Sequence, residues 1–263
     1  QSLYQVSKDL GCSISFWKPH ENTGGWHYDI TDLKKLISSK TKLIVVNFPH
    51  NPTGFSPAIE EYHKIIELAR ERGITIFSDE MYRYLNHNKE TGLPSMCDLY
   101  ENSISLWGTA KTFGLAGLRL GWLTSKNKGL LKKVEKFKDY LSICNSAPSE
   151  VLGTIALNNM DKFVIPNMDK IRFNISLFSE FHKINSRLID FKEPLSGSTA
   201  FIRLKINEPA SVFAEKLVKS TGIMLLPSET FEYGKCHARI GFGRKNMPEM
   251  LSVFGHYIRE RYF

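Results

Sequence analysis

Three short, largely apolar runs, Leu43–Val46, Ile74–Phe77 and Ser103–Trp107, alternate with helical patterns in the first half of this chain. Strands that are apolar along their whole length, separated by helices, belong to a parallel sheet covered on both faces. The helix between the first two runs is expected over Ala58–Arg72, with Gly73 just beyond it, where a C-terminal glycine is favoured. After Trp122 the texture changes. Helical patterns run through Gly129–Leu141, Ser149–Asn158 and Lys162–Ile184, followed by strand-like Ala200–Leu204, Ile223–Leu226 and Ala238–Gly241 and helix-like Ala210–Ser220 and Met247–Arg259. The expected fold is therefore α/β: a three-layer, mostly parallel sheet domain over residues 1–165, joined through a long helix to a small α+β domain over residues 166–263.

The 263 residues carry 42% hydrophobic and 24% charged side chains, enough for a substantial core and unlike a disordered, collagen-like or disulfide-scaffold chain. No apolar run approaches the roughly 20 residues of a membrane helix, and the opening Gln1-Ser2-Leu3-Tyr4-Gln5 is unlike a signal peptide. The net charge of +8 is concentrated in Lys126, Lys128, Lys132, Lys133, Lys136 and Lys138. Leu130, Leu131, Val134 and Phe137 interleave at helical spacing, so these lysines read as the wet face of an amphipathic helix and not as a nucleic-acid site. Cys12, Cys97, Cys144 and Cys236 are isolated, which fits a reducing, cytoplasmic setting and no zinc site. None of the eight histidines forms a metal-ligand pattern such as HExxH.

In an open parallel sheet, ligands collect where the loops leave the carboxyl ends of the strands. The first run is followed by Asn47-Phe48-Pro49-His50-Asn51-Pro52-Thr53-Gly54, a loop whose prolines could aim the Asn51 amide at a ligand or leave it bonding its own backbone. The second is followed by Ser78-Asp79-Glu80-Met81-Tyr82. A carboxylate at a buried strand end needs a positive or hydrogen-bonding partner unless Asp79 simply caps the next helix. The third is followed by Gly108-Thr109-Ala110-Lys111-Thr112-Phe113-Gly114, in which Lys111 is the only charged residue between Asn102 and Leu118. Its small and apolar neighbours suggest burial, which lowers an ammonium pKa as an imine-forming amine requires; the alternative is a lysine snorkelling to the surface.

A lysine able to form an imine, a carboxylate able to pair with a pyridinium nitrogen and donors for a phenolic oxygen are what a pyridoxal 5'-phosphate site needs. Arg119, eight residues after Lys111, could reach a phosphate with its planar fork. The nearby Gly114-Leu-Ala-Gly117-Leu-Arg-Leu-Gly121 has the wrong spacing for a dinucleotide loop.

Asn51-Pro52-Thr53-Gly54, Ser78-Asp79-Glu80-Met81-Tyr82 and Lys111-Thr-Phe-Gly-Leu-Ala-Gly-Leu-Arg119-Leu-Gly, in this order, closely resemble the class I/II pyridoxal-phosphate aminotransferases of fold type I. The separations fit as well: 28 residues from Asn51 to Asp79 and 32 from Asp79 to Lys111. The resemblance implies that Lys111 holds the cofactor as an internal aldimine and then moves the substrate α-proton. It implies that Asp79 pairs with the ring nitrogen, that Asn51 and Tyr82 bond the phenolic oxygen, and that Arg119 contacts the phosphate. Arg239, in His237-Ala-Arg-Ile-Gly-Phe-Gly243, is the residue expected to clamp a substrate carboxylate, with Asn51 beside it. The implied reaction moves an amino group between an amino acid and a 2-oxo acid, in a homodimer.

Two departures qualify that expectation. The family usually has serine or threonine three residues before the lysine, bonding the phosphate; here Gly108 stands there, and Thr109 or backbone amides are expected to substitute. Family members also begin earlier, with a helix N-terminus that cradles the phosphate and an aromatic residue that stacks on the ring. The opening Gln1–Cys12 resembles the helix after that region, leading to an expected strand at Ser13–Phe16. The sheet domain is thus expected to lack its N-terminal portion, which leaves an inactive fragment without tight cofactor binding as one reading. Lyase, decarboxylase or cyclising chemistry is another, because Asn47-Phe48-Pro49-His50-Asn51 and Gly241-Phe-Gly-Arg-Lys-Asn246 resemble a subgroup that includes capreomycidine-synthase-like enzymes.

Overall fold

The computed structural model describes residues 3–88 and 92–262. A four-stranded sheet forms the first half, from β3 (Leu43–Asn47), β4 (Thr75–Asp79), β5 (Ser103–Gly108) and β6 (Gly121–Thr124), in spatial order β3-β4-β5-β6. The first three strands are parallel and β6 runs antiparallel to β5. Upstream lie the short helix α1 (Gln5–Asp9), the hairpin strands β1 (His20–Asn22) and β2 (Gly25–His27), and α2 (Ile30–Leu36). Gln1 and Ser2, the start of the expected opening helix, lie outside the described residues.

Helix α3 (Ile59–Glu71) starts where the Ala58 amide donates to the Glu61 carboxylate at 3.1 Å, and it stops at Gly73, which takes φ +62°. Its buried Tyr62, Ile65, Ile66 and Ala69 pack against Ile44, Val46 and Ile76 of the sheet. The short α4 (Met96–Leu99) precedes β5. Burying apolar side chains on this scale is the main favourable term holding the layers together.

Helices α5 (Lys128–Leu141), α6 (Ala147–Asn158) and α7 (Met160–Asn185) lead to a second, antiparallel sheet. It consists of β7 (Ile189–Asp190), β8 (Thr199–Leu204), β9 (Leu226–Pro227) and β10 (His237–Gly241), in the order β7-β8-β10-β9. Helices α8 (Ala210–Thr221) and α9 (Met247–Tyr262) cover it, and Met168, Ile171, Ile175 and Phe178 of α7 join Phe213, Phe242 and Phe254 in its core. The two cores interlock: Tyr82 and Leu85 from the first half belong to the second cluster, and Phe201 of β8 belongs to the first.

Three expectations need correction. Ser13–Phe16 is not a strand, because no ladder partner lies beside it among the described residues, and a strand exists only through such pairing. The edge strand β3 is not covered on both faces, since its Leu43 and Val45 remain 47% and 40% exposed while Ile44 and Val46 point into the α3 layer; β4 and β5 carry no exposed residue. Helix α5 buries no residue: Leu130, Leu131 and Val134 are half-buried and Phe137 is 63% exposed, so its apolar stripe is only partly packed.

Candidate active site

The three polar loops meet where the sequence places them, at the carboxyl ends of β3, β4 and β5. Register brings Asn47 beside Asp79, and Asp79 beside Leu106. Asn47 locks two of the loops together. Its Nδ2 donates to the Asp79 carbonyl at 3.1 Å, and its Oδ1 accepts from the Asn51 amide at 2.9 Å.

The Asn51 loop is shaped by its own residues. Gly54 takes φ +70°, and a Cβ there would lie 2.2 Å from the Pro194 side chain and 2.9 Å from the Thr199 carbonyl, so only glycine fits. His50 bonds Thr53 Oγ1 through Nδ1 at 2.8 Å and Tyr28 Oη through Nε2 at 2.9 Å. Burial depresses the His50 pKa to about 3 and raises that of Tyr28, so both are neutral supports for the loop.

Asn51 does not bond its own backbone through its side-chain oxygen. That Oδ1 accepts from Arg239 Nη1 at 3.0 Å, which leaves the amide Nδ2 as the donor end of the side chain. Arg239 projects from β10, paired with Phe201 of β8 and Leu226 of β9, and its guanidinium lies over the Phe231 ring at 5.7 Å.

Asp79 does not cap a helix; its Oδ1 accepts from the Met81 amide at 3.1 Å across a turn. Burial raises its pKa, opposed by that hydrogen bond and by the Lys111 charge, and reinforced by the Glu80 charge. Glu80 is itself buried and satisfied by Arg83 Nη1 at 3.1 Å, the Met96 amide at 2.8 Å and the Ser95 hydroxyl. Tyr82 is buried, and desolvation raises its pKa, opposed by the Arg239 charge and by the Ser198 side chain. Lys111 Nζ lies 6.0 Å from the centre of the Tyr82 ring.

The expected burial of Lys111 is not met: its side chain is exposed. The small and apolar neighbours that suggested burial are themselves turned inward, Thr112 at 0% and Phe113 at 2% exposure, and this turns Lys111 outward. Thr112 Oγ1 donates to the Arg83 carbonyl at 2.6 Å and anchors the lysine loop to the Tyr82 segment.

The phosphate-side expectations fare differently. Thr109 is fully buried and its hydroxyl is directed at the Leu115 and Leu120 carbonyls, at 3.4 and 3.2 Å, so it does not face a ligand. Gly108 has a packing cause: it pairs with Gly121 across β5 and β6, and a Cβ would lie 2.7 Å from the Leu120 carbonyl oxygen. No serine or threonine fits there without moving backbone. Arg119, in the left-handed region at φ +50°, is exposed with Nη1 3.3 Å from the Ala116 carbonyl.

The donor set fits the ring end of pyridoxal phosphate. A half-buried carboxylate disfavoured by desolvation stands beside an amine, with an amide N–H, a phenol O–H and a guanidinium around the same space. The phosphate end is thinner: Thr109 is turned away, and Arg119 is exposed with its guanidinium on a backbone carbonyl. The supports missed by sequence reasoning are Asn47, Tyr28, His50 and Thr112. Only His50 and Asn47 carried a local signal, as part of the proline-bracketed loop.

Comparison with known proteins bears on the family and the fold. The profile of the family "Aminotransferase class I and II" matches residues 2–253. The chain is 27% identical to capreomycidine synthase of Streptomyces vinaceus over 92% of its own length and 61% of that protein's. It is 30% identical to an aspartate aminotransferase of Sulfurisphaera tokodaii, over 96% of this chain and 67% of the relative. A PLP-dependent aminotransferase from Streptococcus suis superposes with a TM-score of 0.91 at 26% identity, covering 98% of this chain and 68% of that one. The chain thus spans about two thirds of the length of these relatives. The expected fold type I architecture holds, as does the expected cofactor class. By its motifs, its fold and the match along almost its whole length, this chain belongs to the class I and II aminotransferases.

Proposed function

We propose that the chain forms the ring-binding and substrate-clamping part of a pyridoxal-phosphate-dependent aminotransferase site that moves an amino group between an amino acid and a 2-oxo acid. The observation that carries this reading is the convergence of Lys111, Asp79, Tyr82, Asn51 and Arg239, drawn from four separate strand ends and loops, on one space. In it, Lys111 Nζ is the attachment amine and the base that takes the substrate α-proton and returns it. When bound, the cofactor supplies an electron sink for the substrate α-carbon. Asp79 gains a cationic partner in the ring nitrogen, which offsets the desolvation of its carboxylate. Asn51 Nδ2 and Tyr82 Oη donate to the phenolic oxygen. Arg239 presents its planar fork to the substrate α-carboxylate, already held in place by Asn51 Oδ1. Arg119 takes the phosphate. By the same family reading the working assembly is a homodimer.

Addition of pyridoxal phosphate, borohydride reduction and peptide mass mapping tests the assignment: a reduced adduct on Lys111 is expected, and a folded chain with no adduct there rejects it. Lys111→Ala is expected to abolish turnover.

A second reading is cyclising or lyase chemistry on the same site, favoured by the 27% identity to capreomycidine synthase. Product analysis with an amino donor and a keto acceptor separates the two: eliminated or cyclised product without keto product replaces the transaminase reading.

A further inference from the structure

Helix α7 carries two asparagines seven residues apart, and each grips backbone belonging to a different part of the site. Asn167 Nδ2 donates to the Thr112 carbonyl at 3.2 Å, next to Lys111. Asn174 Nδ2 donates to the Phe242 carbonyl at 2.8 Å and the Arg244 carbonyl at 2.7 Å, just past the strand that bears Arg239. Seven residues of α-helix bring side chains back to within about 20° of one face and advance about 10 Å. One rigid helix face therefore holds the lysine loop at one level and the arginine strand at the next.

Helix stability does not explain these two residues, since asparagine is a weak helix former. Asn174 is only 1% exposed, and burial of an amide is unfavourable unless its hydrogen bonds are made. The grip is fitted at both ends. Lys170 Nζ donates to Asn167 Oδ1 at 3.0 Å and fixes the amide orientation, and a Cβ on Gly114 would lie 3.1 Å from Asn167 Nδ2. At the other end, the Phe242 amide donates to the Ser198 carbonyl at 2.8 Å.

We propose that Asn167 and Asn174 are positioning residues that make α7 a strut, fixing the separation between the Lys111 amine and the Arg239 guanidinium. The inference rests on the roles given above to Lys111 and Arg239. A substrate held at Arg239 by its carboxylate must present its α-carbon to Lys111, and a displacement of about 1 Å can lower a rate by about a hundredfold.

The test uses the full chain and the variants Asn167→Leu and Asn174→Leu. Three measurements are made: amide hydrogen exchange, borohydride trapping of pyridoxal phosphate on Lys111, and calorimetric binding of 2-oxoglutarate. Asn174→Leu is expected to speed exchange at Phe242 and to weaken 2-oxoglutarate binding by about tenfold each, the scale of one buried hydrogen bond. Trapping on Lys111 stays near the parental level. Asn167→Leu is expected to do the reverse: faster exchange at Gly114 and Leu115, slower trapping, and 2-oxoglutarate binding near parental. Should Asn174→Leu not fold, Asn174→Ser, too short to reach both carbonyls, is held to the same outcomes. Unchanged exchange at both ends, or a uniform acceleration across the whole protein, overturns the strut. A parental chain that shows the local exchange pattern but neither traps pyridoxal phosphate nor binds 2-oxoglutarate overturns the proposed function instead, and leaves the strut as architecture.

Discussion

Arg239 Nη1 donates to Asn51 Oδ1 across 3.0 Å, joining residues 188 positions apart in the chain. The bond fixes both groups against each other: the amide spends its oxygen on Arg239, and the proposed clamp would use the guanidinium's remaining donors.

Arg239→Lys keeps the charge and loses the planar fork. A 2-oxo acid is expected to bind at least about tenfold more weakly, since truncating a hydrogen-bonded charge pair typically costs about 2–5 kcal/mol. Titration calorimetry reads this directly; parental affinity in the lysine variant removes the clamp.

Asp79 gives a pH test on the cofactor-free chain. Burial raises its folded pKa above the ordinary 3.8, so the unfolded chain ionises first and the group destabilises the fold above that range. Asp79→Asn retains an acceptor for the Met81 amide and removes the charge. It is expected to raise the melting temperature at pH 7 by about 2–4 °C, the shift that about 1 kcal/mol gives in a chain of this size. The advantage fades as pH falls from the raised folded pKa to the ordinary 3.8. With pyridoxal phosphate added, the same variant is expected to bind the cofactor more weakly than the parent. An unchanged cofactor dissociation constant, followed by absorbance, contradicts the pairing role.

His50 has the opposite linkage. Its folded pKa is depressed to about 3 by burial, below the ordinary 6.5, so the unfolded chain takes up a proton that the folded chain refuses. Stability is present above pH 6.5 and lost as pH falls towards 3, at up to about 1.4 kcal/mol per pH unit. Denaturant unfolding between pH 7 and 4.5 is expected to show a shallower acid loss in His50→Gln than in the parent. Parallel curves would falsify the assignment.

Gly108→Ser places the hydroxyl that the family usually carries on a site with no room for it. The 2.7 Å approach to the Leu120 carbonyl predicts a destabilisation of about 1–3 kcal/mol, the usual range for overpacking, and no gain in pyridoxal phosphate affinity. Calorimetric melting and cofactor titration check both halves. Tighter binding with an unchanged melting temperature shows that the backbone gives way easily.

Much of the site was legible because its signals are local. Apolar runs mark β3, β4 and β5, proline and glycine mark the loops, and the parallel topology brings the loop ends together, so Asn51, Asp79 and Lys111 could be placed near one another by number alone. Ser13–Phe16 shows where local pattern fails, since a strand is defined by its neighbour and none lies beside that segment among the described residues. Lys111 shows a second failure: small and apolar neighbours mark a turn that packs inward, and which side chain the turn then expels depends on what Thr112 and Phe113 find to pack against.

By itself the sequence determined the order of elements, the family and the chemical identity of the groups at the strand ends. The tertiary structure decided what those groups face. Thr109 lost its hydroxyl to two backbone carbonyls, Gly108 is enforced by the close approach of β6, and Asn51 is turned by Arg239. Asn167 and Asn174 meet carbonyls 55, 68 and 70 residues away. Hydrogen bonds and close contacts of this kind depend on positions to within a fraction of an ångström between segments distant in the chain, and no local pattern encodes that distance.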